Sequence, residues 1–247
     1  MTVKGFDFSS WQDAPDTSAF IDFTKAKQQA DFCIARAAYG LGADRIFPRS
    51  YDEAKQAGFI AGVYQFVDYR ASARANVQFL KLMLNGRVPD LIALDLEQNE
   101  AYWPGGWPSD GTRLTAFVSD YFDVYTSEGL TSPLLLYTNP DTIKQMRAAP
   151  QKLAGLAAKM PLWIAWYNSN EPDPASIAPW AKYHIWQPTP SAVGHQYGME
   201  SGNVDTDTWN GTLEDLTAFV NKVVIPTPPT LEERVAIIEQ KLKDHGW

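Results

Sequence analysis

Short apolar runs alternate with longer amphipathic segments along most of the chain. Several of the short runs are continuously apolar, which is typical of strands that are buried on both faces. Eight runs are predicted as strands, at residues 3–8, 32–37, 60–67, 91–96, 133–138, 162–167, 182–187 and 203–209. Eight strands that alternate with helices in one chain predict an α/β fold of the (β/α)8-barrel type, and a doubly wound open sheet is the structural alternative.

Three amphipathic segments carry helix-terminus signals. Residues 71–85 place apolar side chains on one face and end at Gly86, a predicted C-cap. Residues 112–128 end in the same way at Gly129. Residues 212–223 begin at Thr212, a predicted N-cap that is followed by two acids in the first turn, where the helix dipole favours negative charge.

The pattern changes near the C-terminus. Residues 1–222 are predicted to form one barrel domain, and the proline-rich residues 223–230 an extended linker. Residues 231–247 are predicted to form an amphipathic helix, because Leu231, Val235, Ile238 and Leu242 recur at coiled-coil spacing. This stripe must be buried, either against the barrel, against a second copy in a homo-oligomer, or as a tether to a further module.

Composition excludes several classes of function. The chain has 247 residues and a formal charge of −8, with scattered basic residues, so we expect no nucleic-acid partner. No apolar stretch is long enough to span a membrane, and the start MTVKGFDF contains no apolar signal-peptide core. The single cysteine and three histidines form no zinc-binding pattern, so no metal or cofactor is expected, although the acids leave an all-carboxylate magnesium site open.

The strongest local signal is LIALDLEQNE at residues 91–100. Strand residues two apart point to the same side, so Asp95 and Glu97 are predicted to face one way at the C-terminal end of a barrel strand. That end holds the active site in barrel enzymes, and one protonated acid beside one ionised carboxylate is the equipment for glycoside hydrolysis. An exposed pair that caps the next helix is the structural alternative.

Further acids and aromatic residues support a site at that end. Asp7 lies near the end of the first predicted strand and Asp205 lies in the last one. If the strands close into a barrel, both are expected on the rim that holds Asp95 and Glu97. Aromatic side chains near strand ends offer flat faces for sugar rings: Trp11, Tyr39, Tyr64, Tyr137, Trp166, Tyr167 and Trp186.

Together these residues resemble the family 25 glycoside hydrolases, the Chalaropsis-type lysozymes. The resemblance covers about residues 5–220 and rests on the order of its motifs: GFDFSSWQ, GVYQF, ALDLE, LLYTN, LWIAWY, IWQ and VDTDTW. It implies an irregular β/α barrel of the TIM type. It also implies hydrolysis of the β-1,4 bond from N-acetylmuramic acid to N-acetylglucosamine, with peptidoglycan glycan strands as the partner.

The resemblance also implies roles for individual residues. Glu97 resembles the general acid and Asp95 its partner carboxylate, which either holds the substrate's N-acetyl group or attacks directly; Asp7 and Asp205 match two supporting aspartates. Gln65 departs from the family pattern, where a histidine is common, and Asp207 stands where an asparagine is usual; Asp207 is expected to add charge at the rim. The predicted substrate-binding residues are Tyr39, Tyr64, Gln65, Tyr137, Trp166, Tyr167, Gln187 and Asp207.

Two other functions stay open at this point. One is a non-catalytic barrel that binds wall glycan through its aromatic residues, although the intact acid pair argues against it. The other is a glycosidase that acts on another N-acetylglucosamine polymer such as chitin. For a wall-degrading enzyme without a signal peptide, the expected context is either a phage endolysin or a secreted protein.

Overall fold

A computed structural model describes residues 2–14, 19–98 and 111–222. The predicted linker, residues 223–230, and the predicted C-terminal helix, residues 231–247, lie outside the described residues. The strands of the described part are β1 Val3–Phe8, β2 Phe32–Tyr39, β3 Gly42–Ala43, β4 Ile60–Phe66, β5 Ile92–Asp95, β6 Leu134–Thr138, β7 Leu162–Ala165, β8 Ile185–Val193 and β9 Asn203–Trp209. Its α-helices are α1 Phe23–Ala26, α2 Arg49–Gln56, α3 Ala73–Leu84, α4 Gly111–Ser127, α5 Pro140–Met146, α6 Pro150–Ala157, α7 Pro174–Ile177 and α8 Leu213–Val220.

Eight strands close into a barrel in the order β1-β2-β4-β5-β6-β7-β8-β9, and β9 pairs with β1 to complete the ring. The strands from β1 to β8 in this ring run parallel, whereas β9 is antiparallel to both of its neighbours. The prediction of an irregular (β/α)8 barrel is therefore confirmed, and the open sheet is excluded. The short β3 forms an antiparallel ladder on β2 outside the ring.

The strand predictions are confirmed with shifted ends. The largest difference is at β8, which starts at Ile185 instead of residue 182 and continues to Val193 through Pro188 and Pro190. Proline lacks the backbone N–H that a regular ladder uses. Accordingly, the β8–β9 register shifts between Trp186 and Thr189, and again before Ala192. A strand prediction that assumes an uninterrupted series of backbone hydrogen bonds ends at the first proline. It therefore misses this extension of β8.

Two apolar layers hold the barrel together. The layer inside the ring includes Phe32, Leu91, Leu135 and Trp163, all of which are buried. The outer layer fills the space between the strands and the surrounding helices. Because β5 has apolar residues facing both layers, its sequence is continuously hydrophobic up to Asp95, where the barrel opens.

The helix ends match their sequence signals closely. Asn85 has a left-handed backbone conformation (φ 45°) and caps α3, one residue before the predicted Gly86, which is also left-handed (φ 82°). The Thr212 hydroxyl accepts a hydrogen bond from the Asp215 backbone N–H, and the Asp215 carboxylate accepts one from the Thr212 backbone N–H. This reciprocal cap starts α8 as predicted. Among the described residues, no helix is long and apolar enough to cross a membrane.

The closure of β1 against β2 supplies a test of the packing inside the ring. A Cβ atom on Gly5 would overlap the aromatic ring of Phe32, whereas one on Gly155, in the exposed middle of α6, would meet nothing. We expect Gly5→Ala to lower the free energy of unfolding by about 1–3 kcal/mol because of overpacking. The matched substitution Gly155→Ala should raise it by about 0.5–1 kcal/mol because alanine favours the helix. Urea denaturation of both variants measures these changes, and unchanged stability in Gly5→Ala would contradict the described packing.

Candidate active site

A cavity of about 270 Å³ opens at the C-terminal end of the parallel strands. Its walls come from most of the strands of the ring and from the segment that follows β1. The lining residues are Asp7, Ser9, Trp11, Gln12, Arg36, Tyr64, Phe66, Asp95, Glu97, Tyr137, Trp163, Tyr167 and Asp205. The four carboxyl groups that the sequence predicts for one rim therefore line one space.

Asp95 and Glu97 enter this cavity because the chain stays extended beyond β5. Between them, Leu96 is buried on the opposite side. The Leu96 backbone N–H donates to the Tyr137 carbonyl at 3.0 Å, and its carbonyl accepts from the Thr138 hydroxyl at 2.8 Å. This continuation of the ladder keeps the two-residue alternation, so both acids face the cavity as predicted.

Asp205 reaches the same rim for a reason that the sequence does not reveal. If β9 ran parallel to the other seven strands of the ring, its third residue, Asp205, would lie toward the bottom of the barrel. Because β9 is antiparallel, its first residues lie at the top, and Asp205 is the register partner of Asp7. The predicted convergence of the two aspartates is thus confirmed, with a strand direction different from that of a regular (β/α)8 barrel.

Asp207 lies one layer deeper than predicted. It pairs with Gly5 in the register, is 2% exposed, and its Oδ1 accepts a hydrogen bond from Trp163 Nε1 at 2.8 Å. Its other oxygen, Oδ2, is buried and has no hydrogen-bond partner among the described residues. Asp207 faces the same side of β9 as Asp205, as the strand alternation predicts. Because β9 is antiparallel, Asp207 lies below the rim and does not line the cavity.

Burial raises the pKa of every carboxyl group in this cluster. For Asp7, the neighbouring charges of Asp205 and Asp207 add to the effect of burial on the pKa. For Asp95, burial and the charge of Glu97 raise the pKa, while Arg36 opposes them. Burial also raises the pKa of Glu97. Together with the Glu97 charge, it raises the pKa of Asp205 to about 7. Each of these acids therefore binds a proton more readily than a free carboxyl group does, as paired carboxyl groups in partly dry sites do.

A buried glutamine connects the acids to the tyrosines. Gln187 is 1% exposed, and its Nε2 donates to Asp7 Oδ2 at 2.6 Å. Its Oε1 accepts hydrogen bonds from the hydroxyl groups of Tyr137, at 2.9 Å, and Tyr167, at 3.0 Å. The hydroxyl group of Tyr137 also lowers the pKa of Glu97 against the effect of burial. Gln187, predicted to contact substrate, lies behind the tyrosines instead and fixes their hydroxyl groups.

The other predicted substrate-binding residues divide into two groups. Tyr64, Tyr137 and Tyr167 line the cavity, and Tyr167 remains 57% exposed, as a surface that accepts a sugar ring must be. Tyr39 stacks on Phe66 with ring centres 4.8 Å apart and borders a neighbouring groove that also contains Trp11. This groove continues from the cavity, because Trp11 lines both.

Gln65 and Trp166 do not line the cavity. Gln65 is fully buried on the outer side of β4, where its amide donates to the Gly40 and Asn76 carbonyls and accepts from the Tyr121 hydroxyl. Trp166 packs against the outer layer, and its Nε1 donates to the Asn170 carbonyl at 2.9 Å. The two-residue alternation of a strand explains both orientations. Gln65 is adjacent to the inward-facing Tyr64, and Trp166 is adjacent to Tyr167, which lines the cavity.

Arg36 is the main site residue that sequence reasoning missed. It lines the cavity from the middle of β2, with its Nε on Asp44 at 2.8 Å and its Nη2 on the Ser10 hydroxyl at 3.2 Å. The available signal was a single arginine in the otherwise apolar strand FCIARAAY. A buried cation in such a strand needs anionic partners, and the cavity carboxylates are among the groups that its charge reaches.

Among the described residues, no cluster of three or more histidine, cysteine or acidic side chains has an arrangement that could hold a metal ion. The residues that line the cavity offer carboxyl groups, tyrosine hydroxyls and one guanidinium group. Two adjacent acids with raised pKa values, next to an open sugar-sized cavity, are suited to acid-assisted cleavage of a glycosidic bond.

Known proteins resemble this chain over most of its length. Lysozyme M1 from Streptomyces globisporus is 28% identical over 230 residues, which cover 89% of this chain and 71% of the relative. The structure of a bacterial lysozyme from Streptomyces coelicolor superposes with a TM-score of 0.71 at 25% identity and covers 90% of this chain and 98% of its own. The structure of a family 25 lysozyme from Aspergillus fumigatus superposes with a TM-score of 0.69 at 26% identity and covers 89% of this chain and 99% of its own.

The similarity is not confined to characterised enzymes. An uncharacterised Escherichia coli protein, YegX, is 24% identical and is matched over 90% of this chain and 75% of its own length. The sequence model of the glycosyl hydrolases of family 25 matches residues 6–195, a range that holds Asp7, Asp95 and Glu97 and ends before Asp205. With the barrel and its acidic cavity, this match shows that the chain belongs to glycosyl hydrolase family 25 and is a glycoside hydrolase.

Proposed function

We propose that this protein is a lysozyme of the 1,4-β-N-acetylmuramidase type, with Glu97 as its general acid. The observation that carries the proposal is the placement of Glu97 and Asp95 side by side in the cavity, where burial raises the pKa of both. A carboxyl group that keeps its proton near neutral pH can give it to the oxygen that leaves when a glycosidic bond breaks.

The surroundings of the two acids differ in a way that suits this division of roles. The positive charge of Arg36 lowers the pKa of Asp95 against the effect of burial. This opposing effect favours negative charge on Asp95, and we propose that Glu97 carries the proton of the pair. An ionised Asp95 can then stabilise the positive charge that develops on the sugar as the bond breaks.

Asp95 also has a free hydrogen-bond acceptor. Its Oδ1 is buried and has no hydrogen-bond partner among the described residues. The amide N–H of an N-acetyl group on the substrate would satisfy it. An amide held there presents its carbonyl oxygen to the anomeric carbon, so the substrate can attack itself while Glu97 protonates the leaving oxygen. Water then opens the resulting ring, with Glu97 as the base, and the anomeric configuration is retained.

Direct attack by Asp95 on the anomeric carbon is the competing route. Asp7 and Asp205 play the same part in both, since they face the reacting centre from β1 and β9 and can orient water or adjust the charge of the site. A covalent sugar–Asp95 adduct trapped during turnover would establish direct attack.

The choice of a bacterial wall glycan as substrate rests on the relatives. Lysozyme M1 and the two lysozyme structures align along almost the whole described barrel. The exposed rings of Tyr167 and Trp11 supply platforms for successive sugars. We propose that the protein acts on cell-wall peptidoglycan, and that short-range contacts in the groove provide binding, because a net charge of −8 cannot steer the protein to an anionic wall.

Glu97→Gln is expected to reduce the clearing of purified cell walls by at least about 10²–10⁴-fold, since the variant cannot donate the proton. The fold should persist, because glutamine has the same shape. Glu214→Gln, at an exposed position in the first turn of α8, is the matched control and should clear walls like the unmodified protein. Clearing by Glu97→Gln at the unmodified rate would remove Glu97 from the mechanism.

The substrate bond is tested by the chemical ends of the products. We expect mass analysis of soluble products from peptidoglycan to find N-acetylmuramic acid at every new reducing end, and chitin to release much less sugar in a parallel assay. N-acetylglucosamine at the new reducing ends would contradict a muramidase. Binding of walls without any release of reducing sugar would favour the non-catalytic barrel.

A further inference from the structure

A separate groove, the bottom groove, lies at the end of the barrel opposite to the acidic cavity. It has a volume of about 180 Å³ and is formed by α4, by the residues that precede β6 and β7, and by the end of α8. Its apolar walls are Phe122, Tyr125, Pro133, Leu134, Pro161 and Phe219. None of these residues lines the acidic cavity, so the bottom groove is separate from the proposed reaction site.

Helix α8 closes the bottom of the barrel and brings the chain to this groove. Trp209, the last residue of β9, lies beside the first residues of β1 and β8. Leu216 of α8 is fully buried in the layer inside the ring, and Phe219 packs against that layer and also lines the bottom groove. Lys222, the last residue that the structure describes, lines the groove as well, so the next residues of the chain start at its edge.

The bottom groove offers few hydrogen bonds to an occupant. The Tyr125 hydroxyl donates to the Ser132 carbonyl at 2.8 Å, and the Ser132 hydroxyl donates to the carbonyl of a residue before β5 at 2.6 Å. The Thr126 hydroxyl donates to a carbonyl of its own helix at 2.9 Å. The two charged side chains that line the groove, Lys159 and Lys222, belong to exposed residues. The interior of the groove is therefore suited to an apolar occupant.

The chain continues from Lys222 with three apolar residues. Val223, Val224 and Ile225 are all β-branched, and Pro226 follows them. Consecutive Cα atoms lie about 3.8 Å apart across a trans peptide bond, so all three residues lie within about 12 Å of the Lys222 Cα atom. Because β-branched side chains have few rotamers, they lose little entropy when they are buried. Position and composition thus both favour these residues as the occupant.

The apolar stripe of residues 231–247 is less suited to the bottom groove. As a helix, the stripe from Leu231 to Leu242 would extend over about 16–17 Å, at about 1.5 Å per residue. The groove has a volume of about 180 Å³, whereas a cavity of about 150 Å³ holds a single benzene molecule. It therefore has room for about one or two branched aliphatic side chains, and the four side chains of the stripe need a longer surface.

We propose that residues 223–225 fill the bottom groove and attach the chain to the underside of the barrel. The extended linker then begins at Pro226, and residues 226–247 leave the barrel at the end opposite to the acidic cavity. A second copy or a further module held by residues 231–247 is thereby kept below the barrel, and the cavity stays open to a long substrate.

The combined substitution Val223→Ser, Val224→Ser and Ile225→Ser tests the occupant in the full chain. We expect the equilibrium constant of unfolding to rise about 5–30-fold, because folding no longer removes these apolar groups from water. Urea denaturation followed by tryptophan fluorescence measures the change. An unchanged unfolding constant would overturn the proposal.

Val235→Ser combined with Ile238→Ser is the matched control, and it should leave the unfolding constant unchanged. A rise in this control without a rise in the first variant would place the stripe in the bottom groove and overturn the proposal. A rise in the first variant that changes with protein concentration would indicate that the segment occupies the groove of a second copy, which would also overturn it.

A double-mutant cycle with Phe122→Ala tests the contact itself. Phe122 lines the bottom groove, whereas Phe117 lies on the same helix and lines a different groove. If residues 223–225 contact Phe122, the combined variant should have an unfolding constant at least about threefold smaller than the product of the separate effects predicts. With Phe117→Ala as the control, the effects should multiply.

Effects that also multiply with Phe122→Ala would contradict the proposed contact. None of these measurements involves turnover of a substrate. Their outcome is therefore independent of the wall-clearing test of Glu97→Gln, and the attachment of the segment and the proposed function can fail separately.

Discussion

The structure depends on holding five carboxyl groups at one end of a barrel, where Asp7, Asp95, Glu97 and Asp205 line one cavity and Asp207 is buried beneath it. So many negative charges cannot coexist in such a space, so the cluster must keep protons and must have hydrogen bonds for the charges that remain. The surrounding residues meet this need with few cations. Arg36 is the guanidinium group that lines the cavity, and it is itself held by Asp44 and Ser10.

The barrel architecture explains why the acids converge. Asp7 and Asp95 lie at the C-terminal ends of the parallel strands β1 and β5. Asp205 and Asp207 lie nearer the beginning of β9, which reaches the same end of the barrel because it runs in the opposite direction. Reversal of one strand thus places two acids of the VDTDTW segment at different depths, one lining the cavity and the other beneath it. The upper acid can reach substrate, whereas the lower one accepts a hydrogen bond from Trp163.

Much of this arrangement follows from local sequence. Continuous apolar runs located the strands, and the two-residue alternation of LDLE correctly put Asp95 and Glu97 on one face. The alternation also separates two glutamines that look equivalent in sequence: Gln65 follows the inward-facing Tyr64 and so points outward, whereas Gln187 lies behind the site. The resemblance to a family suggested both as contacts, but only the strand geometry distinguishes their roles.

Other features depend on distant parts of the chain and could not be predicted locally. The direction of β9 is set by its pairing with β1 and β8, which no short pattern records. The extension of β8 through Pro188 and Pro190 requires register shifts that only the partner strand permits. Arg36 interrupts an apolar strand, and its role becomes clear only when the carboxyl groups of other strands are placed around it.

The proposed role of Glu97 depends on where the protons lie in this cluster. Neutron diffraction from crystals exchanged into heavy water near neutral pD locates them directly. We expect a deuteron on the Glu97 carboxyl group and none on Asp95, with the Tyr137 and Tyr167 hydroxyl deuterons both directed at Gln187 Oε1. A bare Glu97 carboxylate beside a protonated Asp95 would contradict Glu97 as the general acid.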